Sequence, residues 1–370
     1  MDRRLIENFD WAIIWVLIGI ISIGLLSIYS ALYNQIQANP THNLFIRQLM
    51  WLSVGFLVMF VSVLVDYQLL KRVSLWIYLL ALLLLLAVLV AGKDVNGSKR
   101  WLELGGFQFQ PSEFMKIAIV IYLSSYFSSQ ETSPYPGLKK LALPVFLVMV
   151  PVLVILTQPD LGTAIIILAI SGTVIFFVGI RWRYILSGTL LILPLLYPVW
   201  EHVLKPYQKR RILILLRPDL DPLGAGYHIR QSKIAIGSGM LWGKGFLNGT
   251  QNKLQFLPEK HTDFIFSVWA EEWGFVGCFA LLALFALLIM LSLRVARRSK
   301  DRYGSLLVVG MTGLVLWQVL INIGMVIGLL PVVGITLPFV SYGGSSLITL
   351  CLAIGLIENV SMRRYVFQFR

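Results

Sequence analysis

The sequence predicts an all-α integral membrane protein of about ten transmembrane helices, with both termini cytoplasmic and one large extracytoplasmic loop between the seventh and eighth spans. Three observations predict it. Of the 370 residues 58% are hydrophobic and only 13% charged, against about 25% charged in an average soluble domain. The mean hydropathy is +0.80. The apolar residues also fall into blocks matching the roughly 20 residues that a helix needs to cross about 30 Å of hydrocarbon. No soluble core of this size hides such blocks, so a water-soluble enzyme is excluded. Cysteine adds two further exclusions: Cys278 and Cys351 each sit inside an apolar run, which leaves no disulfide framework and no thiolate metal cluster.

Taken in order, the predicted spans are 11–33, 48–66, 73–92, 111–129, 141–157, 161–180, 184–204, 267–294, 304–328 and 345–362. The first follows Asp2, Arg3 and Arg4. It is too long for a cleaved signal and lacks a small-residue cleavage site, so it reads as a retained signal-anchor. Sorting the 31 Lys and Arg by this topology places sixteen on the face that carries both termini. The other face has Arg47, Lys93, Lys99 and Arg100 in short loops and ten more cations in a loop long enough to escape the charge rule. The sixteen-cation face is therefore cytoplasmic. No internal repeat is visible, and the whole chain, 1–370, reads as one polytopic domain with its large loop at about 205–266.

Two outward connections carry the chemistry, because long loops on a rigid scaffold usually hold functional groups. The segment 205–264 holds Lys205, Lys209, Arg210, Arg211, Arg217, Arg230, Lys233, Lys244, Lys253 and Lys260 against Asp219, Asp221, Glu259 and Asp263. This excess of cations does nothing for topology. It points to a phosphate or pyrophosphate held near the membrane surface, with a basic face for anionic headgroups as the plainer alternative. The glycine-rich stretches 223–226 and 237–245 are expected to let backbone approach such a ligand closely. The second connection, 329–344, is rich in Pro and Gly.

Asp263 stands where the chain re-enters the membrane. Thr262 or Asp263 as a helix cap is one reading; a general base beside a cationic pocket is the other. Burial would raise the pKa of that carboxyl and the nearby cations would lower it, so its direction stays open. Glu113 and Lys116, three residues apart at the start of the fourth span, share a helix face. They form either a structural ion pair or part of a polar cavity. Asp160, just before Leu161 and Gly162, has a capping location. Glu271 and Glu272 are expected to pair with Lys116 or with loop cations. No histidine spacing resembles a zinc site.

A family resemblance rests on motifs that occur in order along the chain. They are Arg100-Trp101-Leu102 with Phe109 to Glu113, Gln158 to Thr163 (QPDLGT), Asp221 to Ile229, Gln231 to Gly239, Gly243-Lys244-Gly245, Phe256 to Phe266 (FLPEKHTDFIF) and Leu337 to Ser346 (LPFVSYGGSS). The chain resembles the SEDS family over essentially its whole length. Gly249-Thr250-Gln251 and Leu330 to Gly334 (LPVVG) place it with the RodA branch rather than the FtsW branch. The resemblance implies a peptidoglycan glycosyltransferase of the bacterial cytoplasmic (inner) membrane. Such an enzyme polymerises lipid II on the outer face for cell elongation and rod shape, beside a class B penicillin-binding protein. The implied partners are that transpeptidase, lipid II and membrane lipids, not nucleic acid.

Carried over from the family motif, Asp263 is the catalytic residue. Arg211, Lys233, Lys244 and Lys209, with Arg47 and Arg100 at the edges, are the candidates for holding the pyrophosphate. Glu113, Lys116 and Asp160 match polar positions of the family's cavity. No organic cofactor is implied, but a divalent cation (Mg2+ or Mn2+) bridging pyrophosphate and carboxylate is, with no ligand cage visible. The chain departs from the family pattern at Lys209 (for Arg), Met240 (for Gly) and Trp273 (for Leu). A lipid II flippase and a non-catalytic scaffold are the competing functions, and neither needs a base at position 263.

Overall fold

The structure is a computed structural model that describes residues 8–38, 44–95, 98–104, 107–130, 137–179, 194, 196–198, 201, 206–217, 219, 221, 224–254, 256 and 259–364. Most of the predicted seventh span, 184–204, lies outside the described residues, as do Arg3, Arg4, Lys205 and Leu223. Among the described residues, the other nine spans are each a helix. In chain order the helices are α1 (Trp11–Ala38), α2 (Leu44–Leu64), α3 (Tyr67–Arg72), α4 (Ser74–Ala91), α5 (Pro111–Ser129), α6 (Leu138–Thr157), α7 (Leu161–Gly179), α8 (Pro206–Leu216), α9 (Ala225–Ser238), α10 (Thr250–Lys253), α11 (Ile265–Arg298), α12 (Arg302–Val326) and α13 (Gly344–Arg363). Eight of them are long and apolar enough to cross a membrane, and α5 is the ninth long helix. The chain is a multi-pass membrane protein.

The helix starts follow from local chemistry. Asp66 accepts the Gln68 N–H at the start of α3, and Asp301 accepts the Gly304 N–H at the start of α12. Pro111 opens α5 where an N–H has no intrahelical partner anyway. One departure from an all-helical reading is a small antiparallel sheet of β1 (Lys93–Val95), β2 (Ser98–Leu104) and β3 (Phe107–Phe109), paired Lys93 with Trp101 and Leu102 with Phe109. Two of the strands have only three residues and leave little period-2 signal, so hydropathy reads this segment as a plain connection.

Helices α12 and α13 are the most enclosed, and α5 packs against α12. Apolar side chains on α2 and α4, among them Leu57, Phe60, Trp76 and Leu83, point outward as a lipid-facing surface requires. At the cytoplasmic end Asn359 donates to the carbonyls of Ser62 and Val63, and Arg363 to those of Val63 and Leu64. Side chains of α13 thus satisfy the carbonyls that the end of α2 leaves open.

The connection 329–343 is irregular backbone inside the bundle, with Leu337, Phe339 and Val340 buried. Gly24 on α1 lies against it so closely that a Cβ there would fall 2.5 Å from the Phe339 oxygen. Backbone without helix survives at such depth only where its polar groups find protein partners. Here they do. Gln48 of α2 donates to the Ser341 carbonyl and accepts the Gly343 N–H, while the Ser341 hydroxyl accepts the Leu337 N–H.

Candidate active site

Three successive carbonyls fix the turn that carries Asp263. The His261 oxygen accepts the Tyr342 N–H at 2.9 Å, the Thr262 oxygen accepts the Ser341 hydroxyl at 2.6 Å, and the Asp263 oxygen accepts Asn322 Nδ2 at 2.9 Å. The same Asn322 amide donates to the Ile335 oxygen at 2.6 Å, which ties the turn to the irregular segment 329–343. The N-cap of α11 is Phe264, and no side chain caps it. Thr262 instead turns its hydroxyl back to Glu259. The capping reading of Thr262 and Asp263 is therefore replaced: the turn is held from outside, and the Asp263 carboxyl is left for other work.

That carboxyl is pushed up to about 6, chiefly by burial. Glu259 and Asp160 add to the rise and Arg211 opposes it. The structure thus brings Arg211 of α8 and Asp160, both far away in sequence, into one electrostatic neighbourhood with Asp263 and its near neighbour Glu259. Asp160 is buried and caps α7, accepting the Thr163 N–H at 3.1 Å and the Thr163 hydroxyl at 2.9 Å. Gln110 also donates to it, at 3.4 Å. Burial lowers the pKa of His228, Lys260 and His261 around the same turn, with Glu259 opposing the shift at both histidines.

Helix α9 lies over this region because its Ser232 hydroxyl meets Ser267 of α11 at 2.7 Å and the Val326 carbonyl of α12 at 2.7 Å. Exposed Lys233 beside it lays its side chain on Gly328, just past the end of α12. A cation is favoured there by the helix C-terminus.

A family model described as cell cycle protein and covering FtsW, RodA and SpoVE matches residues 10–366. The chain belongs to that family. Among its curated relatives, the peptidoglycan glycosyltransferase MrdB of Escherichia coli K12 is 42% identical over 340 residues, covering 92% of this chain and 91% of that one. The peptidoglycan glycosyltransferase RodA of Treponema pallidum is 33% identical, covering 98% and 100%. Among solved structures, a chain from a peptidoglycan synthase complex that coordinates polymerization and crosslinking matches with a TM-score of 0.82 at 35% identity, covering 97% of this chain and 99% of that one. The crystal structure of the rod shape determining protein RodA of Thermus thermophilus matches with a TM-score of 0.72 at 32% identity, covering 97% and 98%.

Within this FtsW/RodA/SpoVE member, the remaining predicted residues divide. Glu113 and Lys116 form a buried ion pair on α5, with Lys116 Nζ 2.7 Å from both carboxylate oxygens. Arg100 spends its guanidinium on the carbonyls of Gln158 (3.0 Å) and Pro159, which steadies the turn before Asp160. Arg47 is exposed on α2, and its charge reaches Tyr342. Lys209 on α8 donates to the Glu201 carbonyl at 3.3 Å. Lys244 pairs with Glu271 at 2.7 Å and donates to Thr250 at 2.8 Å, so Glu271 does take a loop cation. Glu272 accepts the Ser30 hydroxyl of α1 rather than a cation.

The glycine-rich stretch 237–245 closes on α11. Gly274 breaks α11 with φ 63° and ψ −159°, which frees the carbonyls of Glu271 and Glu272 and the N–H groups of Phe275 and Val276. Lys244 N and Gly245 N bind the two carbonyls, at 3.0 Å each, while the Met240 and Leu241 oxygens take the two N–H groups at 2.8 and 3.1 Å. A Cβ on Gly243 would fall 2.1 Å from the Glu272 oxygen. Sequence reasoning also missed Asn322, Gln48 and Glu259. An amide buried within an apolar span is the signal that would have found the first two.

Proposed function

We propose that the chain is a peptidoglycan glycosyltransferase that polymerises lipid II at the outer face of the bacterial inner membrane, with Asp263 as its general base. The observation that carries the role of Asp263 is a part-buried carboxyl lifted to about 6, on a turn fixed through three backbone carbonyls and within reach of the Arg211 charge. Such a group is mostly ionised at neutral pH yet basic enough to take a proton. In the reaction, the acceptor sugar hydroxyl oxygen forms a bond to the anomeric carbon of the growing chain. Its proton passes to the Asp263 carboxylate, and the bond to the undecaprenyl pyrophosphate breaks with its electrons on the leaving oxygen.

Arg211, with Lys209 on the same helix and Lys233 on α9, neutralises the charge that develops on that pyrophosphate. Among the described residues no three Asp, Glu, His or Cys side chains converge on one point. A divalent cation would thus take most of its ligands from pyrophosphate and water, and no step here depends on it. The partner is a class B penicillin-binding protein that crosslinks the strands, a reading supported by the likeness to a peptidoglycan synthase complex.

The test is polymerisation of lipid II by the chain with its cognate penicillin-binding protein, whose transpeptidase serine is blocked. Wild type is expected to make polymer, and Asp263→Ala none at equal folding and complex formation. Equal polymer from both would remove Asp263 from catalysis. No polymer from either, with lipid II translocated in vesicles, would favour a flippase.

A further inference from the structure

The loop that clasps the break in α11 ends in an apolar tip. Met240, Leu241 and Trp242 are 80%, 61% and 80% exposed. Met240 stands at φ 48°, a left-handed conformation that disfavours a side chain by about 1–2 kcal/mol. A large apolar side chain kept at such a position is expected to be in use.

Its height relative to the bilayer can be read from three helices. Twenty residues of helix span about 30 Å, the thickness of the hydrocarbon. Counted from Asp10 at the inner end of α1, that distance ends at Ser30, which bonds Glu272. Counted from Arg294 near the inner end of α11, it ends at Gly274. Helices α11 and α12 join across Ser299 to Asp301, and Gly274 and Val326 lie equally far from that join. Ser30, Gly274 and Val326 therefore share one level, the outer boundary of the hydrocarbon.

The tip lies at this level, because the Met240 and Leu241 carbonyls bind the N–H groups of Phe275 and Val276. Those two residues and Phe279 are themselves exposed on the outer side of α11. Exposed apolar side chains of a span thus stand beside those of an extracytoplasmic loop, joined through backbone hydrogen bonds. Phe246 of the same loop stacks with Tyr29 of α1, one residue from Ser30.

From this geometry we infer that Met240, Leu241 and Trp242 form a foot that inserts into the outer leaflet at the boundary between headgroups and acyl chains. A Trp flanked by apolar residues suits that layer, where an indole ring buries its face and keeps its N–H wet. The foot fixes the height of the break in α11, and through it the height of the turn bearing Asp263. The inference rests on the membrane-spanning fold and not on the catalytic reading.

A nitroxide placed by Trp242→Cys in a Cys278→Ala, Cys351→Ala background tests it, in nanodiscs of phosphatidylethanolamine and phosphatidylglycerol. The expected ratio of collisions with oxygen to collisions with a water-soluble nickel chelate is severalfold higher at 242 than at a Lys253→Cys control on exposed α10. Leu241→Cys must give the same result, which guards against a local defect at 242. A ratio at 242 equal to the control would place the tip in water and overturn the foot. Exclusion of both reagents, or loss of oxygen access only when the synthase partner is added, would make the tip a protein contact and overturn it as well.

Discussion

At the scale of single residues, the behaviour of Asp263 turns on which of two opposed effects is larger. Burial and the neighbouring Glu259 and Asp160 raise its pKa, and the Arg211 cation lowers it. The motif makes Asp263 legible as a candidate, but the sign of the shift depends on how deeply the turn is set between α12 and the segment 329–343, which no local pattern encodes. Burial wins, and the result is about 6 against an ordinary 3.8. If Asp263 is the base, polymerisation rises with pH through a limb centred near 6, with activity at pH 5 about tenfold below its plateau. Arg211→Gln moves that limb upward, because the cation that favours the carboxylate is gone; a pH–rate profile of both forms checks this. Stability follows the same linkage. The folded state binds the proton more tightly than the unfolded chain, so stability falls as pH rises from about 4 to about 6 and the charged carboxyl is a standing cost above that. Asp263→Asn is therefore expected to stabilise the protein by about 3 kcal/mol at pH 8 and by only about 0.5 kcal/mol at pH 4, measured as thermal unfolding in detergent, while abolishing polymer.

At the scale of elements, hydropathy located the long helices because a span of about 20 apolar residues is the strongest sequence signal there is. It missed the break in α11 for a physical reason. Gly274 follows Glu271, Glu272 and Trp273 inside a pattern that otherwise reads as one helix, and a lone glycine inside a helical pattern is usually tolerated. Only the partner that receives the freed backbone groups shows the break, and that partner lies about thirty residues earlier, in the stretch 239–245. Lys244 belongs to this closure. Buried Glu271 accepts Lys244 Nζ, the Thr250 N–H and hydroxyl, and the Gln251 N–H through one oxygen. Lys244→Met strands that carboxylate and is expected to lower stability by about 3 kcal/mol. Adding Glu271→Gln removes the stranded charge, so most of the loss should return. The double variant separates the two roles of Lys244: polymerisation regained with stability marks a residue that only closes the loop, whereas stable protein without polymer marks one that also grips pyrophosphate.

At the scale of the whole molecule, the break explains how the turn that precedes α11 is brought back to α12. Gly274 and Val326 lie at one height, yet Ser267, seven residues before the break, is joined through Ser232 to the Val326 carbonyl. The Asp263 oxygen is bonded to Asn322, one turn from the end of α12. The first part of α11 therefore runs across the outer end of the bundle rather than away from it, and carries Asp263 back over α12 at the level of the lipid surface. None of this was legible from the sequence, where Asn322 is one amide in an apolar span and its partners lie 59 and 13 residues away. Replacing it leaves the Asp263 and Ile335 carbonyls buried without a donor, at about 1–3 kcal/mol each. Asn322→Leu is expected to fold with reduced stability and to lose polymerisation through kcat, since the turn is no longer held in place. Asn322 touches the backbone of Asp263 and not its carboxyl, so the limb near pH 6 should stay where it is while the plateau drops. A plateau unchanged in a variant shown to be less stable would mean that the contacts of Ser341 and Tyr342 suffice to hold the turn. A limb that moved with the plateau would mean that Asn322 sets the electrostatics of the carboxyl as well as its position.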